Sequence, residues 1–173
     1  FNAPYCLAVT PGGAVLVADY NNHRIRRIVG GTVSTVAGSQ QGFADGAGAN
    51  AKFNGPLGIA VDSQGNAYVS DQLNHRIRKV TPAGVVTTVA GTGVAGYADG
   101  DAANAQFNAP WGLALDSVGN VLVVDRNNQR IRRISPAGVV SKVAGSGAGG
   151  AVNGLAAAAT FSGPIGVAVD GHG

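Results

Sequence analysis

Residues 53–91 read FNGPLGIAVDSQGNAYVSDQLNHRIRKVTPAGVVTTVAG, and this stretch decides the fold because most of the remaining sequence restates it. From Phe107 it returns as FNAPWGLALDSVGNVLVVDRNNQRIRRISPAGVVSKVAG, and from Phe1 it appears in shorter form as FNAPYCLAVTPGGAVLVADYNNHRIRRIVGGTVSTVAG. A fourth copy opens at Phe161. The anchor phenylalanines Phe1, Phe53, Phe107 and Phe161 recur at intervals of 52, 54 and 54 residues. A period of that length, built from short apolar runs and turn residues, marks a repeated supersecondary unit of the propeller-blade kind. Residues that recur at the period serve architecture, so function is sought where the copies differ.

In the central copy four apolar runs are separated by turn chemistry: Leu57 to Val61, Ala67 to Ser70, His75 to Thr81 and Val85 to Ala90. Each is too short for a typical helix and rich in Val, Ile, Leu or Tyr, and Ser63-Gln64-Gly65-Asn66 and Pro82-Ala83-Gly84 supply turns between them. The pattern predicts a four-stranded antiparallel meander. Such a sheet is apolar on both faces and cannot stand alone, so successive copies must pack face to face.

The run Pro56-x-Gly58-Ile59-Ala60-Val61-Asp62, followed by Gly65-Asn66-x-Tyr68-Val69-Ser70-Asp71 and Asn74-His75-Arg76-Ile77-Arg78, resembles the NHL repeat. Every full copy shows the pattern, and the resemblance covers essentially the whole chain. It implies an all-β fold, a β-propeller of four-stranded antiparallel blades, most often six-bladed. On that reading residues 1–52, 53–106 and 107–160 are three full blades, and 161–173 is the first strand of a truncated fourth repeat. The resemblance is specific for fold and weak for function, since NHL propellers bind proteins, RNA and carbohydrates and a related lyase uses the same ring for chemistry.

With no methionine among 173 residues and a start in mid-pattern, the chain reads as a piece of a longer propeller. The runner-up is self-association, with two chains completing one ring. Hydrophobic residues make up 45% and charged residues 12%, with 28 glycines, which excludes disorder and fits a turn-dense β-protein. No apolar run approaches the roughly 20 residues of a membrane helix, and no charged-then-apolar leader is present, so the reading is of a soluble chain with no membrane partner. The single cysteine, Cys6, excludes an internal disulfide framework and stands where other copies carry Gly58, Gly112 and Gly166, as a small buried packing residue.

The net charge of +3 invites a nucleic-acid reading, but nine of the twelve basic residues occupy the third strand of a copy. A basic segment repeated in every blade reads as structural rather than as an RNA-binding patch. Asp19, Asp71 and Asp125 precede Arg24, Arg76 and Arg130 by five residues across a tight turn, so these are the expected structural ion pairs. Arg26, Arg78 and Arg132, two residues further on, point to the same side, with stems covering apolar surface and charges left wet.

The first copy differs most from the others. Gly30-Gly31 shortens its last hairpin by two residues, which preserves the alternation of faces, and Thr10 replaces the aspartate found at Asp62, Asp116 and Asp170. After each fourth strand comes a long insert, and the first two share Gly42-Phe43-Ala44-Asp45-Gly46 and Gly96-Tyr97-Ala98-Asp99-Gly100. The aromatic is expected to fasten a compact loop, and Gly150-Ala151-Val152-Asn153-Gly154, which lacks both aromatic and acid, to be looser. Asp99-Gly100-Asp101 hints at calcium without the spaced oxygens of a full loop, so no metal is assigned.

Topology then decides which residues share a face. The loops after strands two and four open on one side of the meander, with the entry to strand one. That side collects Tyr5, Leu57, Trp111 and Ile165 after the anchor prolines, and Tyr20, Gln72 and Arg126 after the second-strand aspartates. Variation at equivalent positions on one face, with Tyr, Trp and Arg among them, is the pattern of a binding surface. Tyr5, Tyr20, Gln72, Leu73, Trp111 and Arg126 are the candidate binding residues.

No catalytic residues are assigned. The chain has no glutamate; His23 and His75 sit at one repeat position where the third copy has Gln129, which makes them strand residues, and His172 lies in a turn of the fourth copy. The expectation is a non-enzymatic binding or structural module without cofactors, for a protein or glycan partner. RNA binding is the first alternative, and part of a propeller lyase or hydrolase the second. The Gly-Ala-Asp inserts and the Thr, Ser, Ala and Val content resemble NHL arrays of bacterial or extracellular surface proteins, which implies an extracellular or cell-surface location.

Overall fold

The computed structural model describes residues 1–170. Each short run whose apolar residues alternate with polar ones forms a strand, because period two presents one set of side chains to each neighbouring blade. The first repeat supplies β1 (Pro4–Val9), β2 (Val15–Asp19), β3 (Arg24–Val29) and β4 (Thr32–Ala37). The first insert holds β5 (Gly46–Ala47), and the second repeat holds β6 (Pro56–Val61), β7 (Ala67–Asp71), β8 (Arg76–Val80) and β9 (Val85–Ala90). The second insert holds β10 (Gly100–Asp101), and the third repeat holds β11 (Pro110–Leu115), β12 (Val121–Asp125), β13 (Arg130–Ile134) and β14 (Val139–Ala144).

These form three antiparallel sheets in the orders β1-β2-β3-β4, β5-β9-β8-β7-β6 and β10-β14-β13-β12-β11. They are three consecutive propeller blades. The fifth strand has a clear role: β5 and β10 come from the insert of one repeat and pair with the outermost strand of the next. An otherwise open sheet edge is thereby covered, and successive blades are tied together through the backbone.

The core lies between blades. Leu16, Ile25 and Ala37 of the first blade pack with Ile59, Val69, Val80 and Val86 of the second, around Phe53. Ile77 and Ala90 pack with Leu113, Val123, Ile134 and Val140 of the third, around Phe107. Phe53 and Phe107 are fully buried, and burying such a side chain stabilises by roughly 1.5–3 kcal/mol. The anchor phenylalanine is thus the pin between neighbouring sheets. On the far side of the first blade Leu7, Val9 and Val33 remain exposed.

The turns follow the sequence closely. Asp62 Oδ1 accepts the N–H groups of Gln64 and Asn66, and Asp116 does the same for Val118 and Asn120. In the first repeat the Thr10 hydroxyl accepts the Ala14 N–H instead, at 3.1 Å, which is why a carboxylate is not needed there. The shortened hairpin turns on Gly30 and Gly31 at φ of 53° and 77°, the left-handed pair of a two-residue hairpin.

Two expectations change. The segment after Phe161 forms no strand among the described residues, where no second strand pairs with it. It lies instead along β11, where Gly112 N–H donates to Ile165 O at 3.1 Å. Cys6 is half-buried against the core between the first two blades, not fully enclosed. His172 lies outside the described residues.

Candidate binding face and the arginine clamps behind it

The arginines form a scaffold, but with partners shifted by two residues from the expected ones. Asp19 pairs with Arg26 at 3.1 Å, Asp71 with Arg78 at 2.6 Å and Asp125 with Arg132 at 2.8 Å. Arg24, Arg76 and Arg130, although opposite those aspartates in the ladders, turn to the carbonyls of Ser39, Thr92 and Ser146. The first repeat makes this choice without an insert acid, and in the second and third repeats the insert reinforces it. Arg78 also meets Asp45 at 2.6 Å and donates to the Ala44 and Lys52 carbonyls; Arg132 does the same with Asp99 at 2.6 Å, Ala98 and Gln106. A guanidinium, with five donors in a planar fork, can satisfy two carboxylates and two carbonyls at once.

Consequently Arg78 and Arg132 are fully buried and their charges are not wet. Aromatic rings close the cage: Phe43 and Phe53 lie 4.8 and 5.2 Å from the Arg78 guanidinium, and Tyr97 and Phe107 lie 4.6 and 5.1 Å from that of Arg132. Phe43 and Tyr97 also stack on Arg76 and Arg130 at 3.8 and 3.9 Å. The aromatic of the insert therefore fastens it as expected, and the acid beside it is an equal partner. In the third insert Val152 and Leu155 are exposed, and no ion pair or ring contact holds it among the described residues.

Burial pushes the Asp71 and Asp125 carboxyls up from the ordinary value, and the donors on each oppose that rise. At Asp19 burial acts the same way, but the hydrogen bonds from Asn2, Asn22 and Arg26 together hold the carboxyl below its ordinary value. Asn22, Asn74 and Asn128 each donate to the aspartate three residues earlier, at 2.9, 2.8 and 2.8 Å. Asn74 and Asn128 also donate to the carbonyls of Gly42 and Gly96. The asparagine of the repeat is thus a second link between blade and insert.

The histidine position has a role that sequence reasoning missed. His23, His75 and Gln129 are not strand residues but cap one-turn 3-10 segments in the left-handed region, at φ of 55°, 53° and 53°. His23 Nδ1 accepts the Gly55 N–H at 3.2 Å, His75 Nδ1 accepts that of Ala109 at 3.1 Å, and Gln129 Oε1 accepts that of Gly163 at 2.7 Å. Each side chain reaches the anchor loop of the next repeat. Burial holds both imidazoles below their ordinary pKa, which favours the neutral form that this acceptor role requires. The signal in the sequence was the His-to-Gln exchange, since the shared property of the two side chains is an acceptor at similar reach.

In front of this scaffold the candidate face residues converge. Ladder register breaks between Pro4 and Cys6, Pro56 and Ile59, and Pro110 and Leu113, so Tyr5, Leu57 and Trp111 all sit in bulges, which re-aim side chains. Tyr5 meets Tyr20 edge-on with ring centroids 5.1 Å apart, and meets Trp111, two repeats away, at 6.3 Å. Arg126 lies 4.6 Å over the Trp111 ring, and the Tyr20 hydroxyl donates to Gln72 Oε1 at 2.9 Å. Leu73 follows Gln72 on the same 3-10 segment and is 48% exposed, while Tyr5 is 58% exposed. Trp111 Nε1 and Arg126 Nε are buried donors without an acceptor among the described residues. The result is an aromatic floor from three repeats, with two unspent donors.

No three His, Cys, Asp or Glu side chains come together to hold a metal among the described residues. Asp99, in the segment that hinted at calcium, is committed to Arg132 and accepts the Tyr97 hydroxyl at 2.9 Å.

The NHL repeat family matches at residues 1–28, 53–80 and 107–134. The chain is 43% identical over 94 residues to the chloroplastic protein Suppressor of Quenching 1 of Arabidopsis thaliana, covering 54% of this chain and 9% of that one. It is 35% identical over 136 residues to NHL repeat-containing protein 2 of Bos taurus, covering 70% of this chain and 19% of that one. The chain therefore spans a fifth or less of those relatives. Among solved structures, a Bacteroides thetaiotaomicron protein of unknown function superposes with a TM-score of 0.80 at 26% identity, over 96% of this chain and 42% of that one. With one match on the first three strands of each repeat, this chain belongs to the NHL-repeat β-propeller family.

Proposed function

We propose that this chain is a non-enzymatic binding module which presents the face of Tyr5, Tyr20, Leu73, Trp111 and Arg126, backed by the buried Gln72, to a protein or glycan partner. One observation carries the reading: residues from three repeats, at the positions where the repeats differ, meet in one cluster while the repeated residues behind them are consumed by the scaffold. Exposed Tyr and partly exposed Trp beside Arg provide large rigid contact area with polar tips, the composition of interface anchors.

Against phosphate recognition, Arg78 and Arg132 are buried in ion pairs and offer no surface charge. An extracellular or cell-surface location belongs to the same proposal. The test is a glycan array and a protein pull-down with the full chain beside Trp111→Ala and Tyr5→Ala. Binding lost in both variants at unchanged melting temperature, and insensitive to salt between about 50 and 200 mM, is the expected result. Binding that survives both substitutions overturns the assignment of the face, and binding that collapses with salt transfers the protein to the RNA-binding class.

A further inference from the structure

At the opposite end of the sheets the first two blades enclose a cleft of about 270 Å³. Leu16 and Val36 of the first blade and Pro82 of the second form its apolar walls, and Thr10, Arg27 and Gln64 bring polar groups to it. Leu16 and Arg27 are directly opposed in the β2–β3 ladder, so both side chains face the second blade. Arg27 is exposed and has no acid or hydrogen-bond partner among the described residues.

The next interface is built differently at the equivalent place. Tyr68 stands where the first repeat has Leu16, and it lines two separate recesses of about 700 and 230 Å³ with Gly119 and Pro136. Lys79, the counterpart of Arg27, lies 5.6 Å over that tyrosine ring. In the third blade the counterpart Arg133 contacts the Ser141 hydroxyl at 3.5 Å. The third repeat, like the first, carries a leucine, Leu122, at the tyrosine position; of the two interfaces between the described blades, the first is the one that lacks the ring and leaves its cation without a partner.

We propose that this cleft is a binding site for a small monocarboxylate with a flat or short apolar body. The apolar part displaces water from Leu16, Val36 and Pro82, and the carboxylate accepts a charge-assisted, two-pronged hydrogen bond from Arg27. Thr10 and Gln64, which also line the cleft, bring a hydroxyl and a carboxamide to its polar side. At about 30 Å³ per water molecule the volume corresponds to roughly nine waters, which fits a ligand of the size of benzoate. The site is independent of the aromatic face, from which it is separated by the length of the sheets.

The experiment is titration of the full chain with benzoate, and with neutral benzamide as control, followed by amide chemical shifts. Benzoate is expected to perturb the 10–14, 27 and 63–65 segments and to leave Trp111 unmoved. Arg27→Gln, a surface change that preserves the fold, is expected to weaken benzoate at least tenfold and to leave benzamide unaffected. Leu16→Tyr, which installs the side chain the second repeat already accommodates, is expected to abolish both. Absence of benzoate binding at millimolar concentration, equal affinity in Arg27→Gln, or shifts confined to the Trp111 face would each overturn the proposal.

Discussion

Arg78, buried in the second blade, meets Asp45, a residue of the insert that leaves the first blade, at 2.6 Å. The same guanidinium holds Asp71 of its own blade at 2.6 Å, so one side chain joins two repeats. The two carboxylates differ in burial: Asp71 is wholly enclosed and Asp45 is 45% exposed. Removing Asp71 leaves a buried cation half-paired and is expected to cost about 3–5 kcal/mol, whereas removing Asp45 is expected to cost about 1 kcal/mol. Urea denaturation of Asp71→Ala and Asp45→Ala tests the order. Equal losses would mean that solvent reaches Arg78 far more than its burial indicates.

The acceptor at the histidine position makes stability depend on pH. His23 and His75 have lowered pKa values in the folded chain through burial, so the unfolded chain takes up protons first as pH falls. Their stabilising contribution is complete above the ordinary imidazole pKa near about 6.5 and is lost as pH drops through the lower folded values. The double variant His23→Gln, His75→Gln is expected to keep near-normal stability at pH 8, as Gln129 does natively, and to flatten the decline between about pH 6.5 and 5. His75→Leu is expected to cost about 1–3 kcal/mol, because the Ala109 N–H loses its acceptor. A decline unchanged in the double variant would assign the pH sensitivity to carboxylates instead.

These links explain which parts of the molecule were legible in the sequence. Strands and turns depend on neighbours a few residues away, so the apolar alternation and the Asp62 and Thr10 turns could be read directly. The face was legible because meander topology alone brings Tyr5, Tyr20 and Trp111 to one end. Arginine pairing was not, since Arg76 directly opposes Asp71 in the ladder, and the second partner of Arg78, Asp45, lies 33 residues away in the preceding insert. The same holds for His75 and Ala109, 34 residues apart in sequence. Periodicity shows that a residue recurs, but not whether its partner lies in its own repeat or in the next.

Close approach of the inner strands gives a third test. A Cβ at Gly58 would collide with the Trp111 carbonyl and come within 2.9 Å of Ser70 Oγ, the hydroxyl that accepts the Gly58 N–H and donates to that same carbonyl. Gly58→Ala is therefore expected to destabilise by about 1–3 kcal/mol through overpacking. Ser70→Ala is expected to cost about 1–3 kcal/mol by stranding the buried Gly58 N–H. The first repeat, with Cys6 at the glycine position, has Ala18 where the second has Ser70, consistent with shared space. Thermal melts of Gly58→Ala alone and combined with Ser70→Ala decide it: if the strands share this space, the double variant loses less than the sum of the two.

Trp111 is the chain's single tryptophan, and Arg126 over its ring makes the candidate face observable without a ligand. The guanidinium both attracts the ring's electron-rich face and keeps water from it. A partly exposed pair of this kind contributes about 0.5–1 kcal/mol, so Arg126→Ala is expected to leave global stability nearly unchanged. Its fluorescence should change more than its stability: emission is expected to shift to the red as water replaces the guanidinium, and acrylamide quenching to rise. Tyr5→Ala is expected to act in the same direction, because Tyr5 flanks the indole at 6.3 Å. Leu73→Ala, with no ring against Trp111, is the control and is expected to leave the spectrum in place. An emission spectrum indifferent to both Arg126 and Tyr5 would mean that the three side chains do not form one surface in solution, and the binding face would lose its floor.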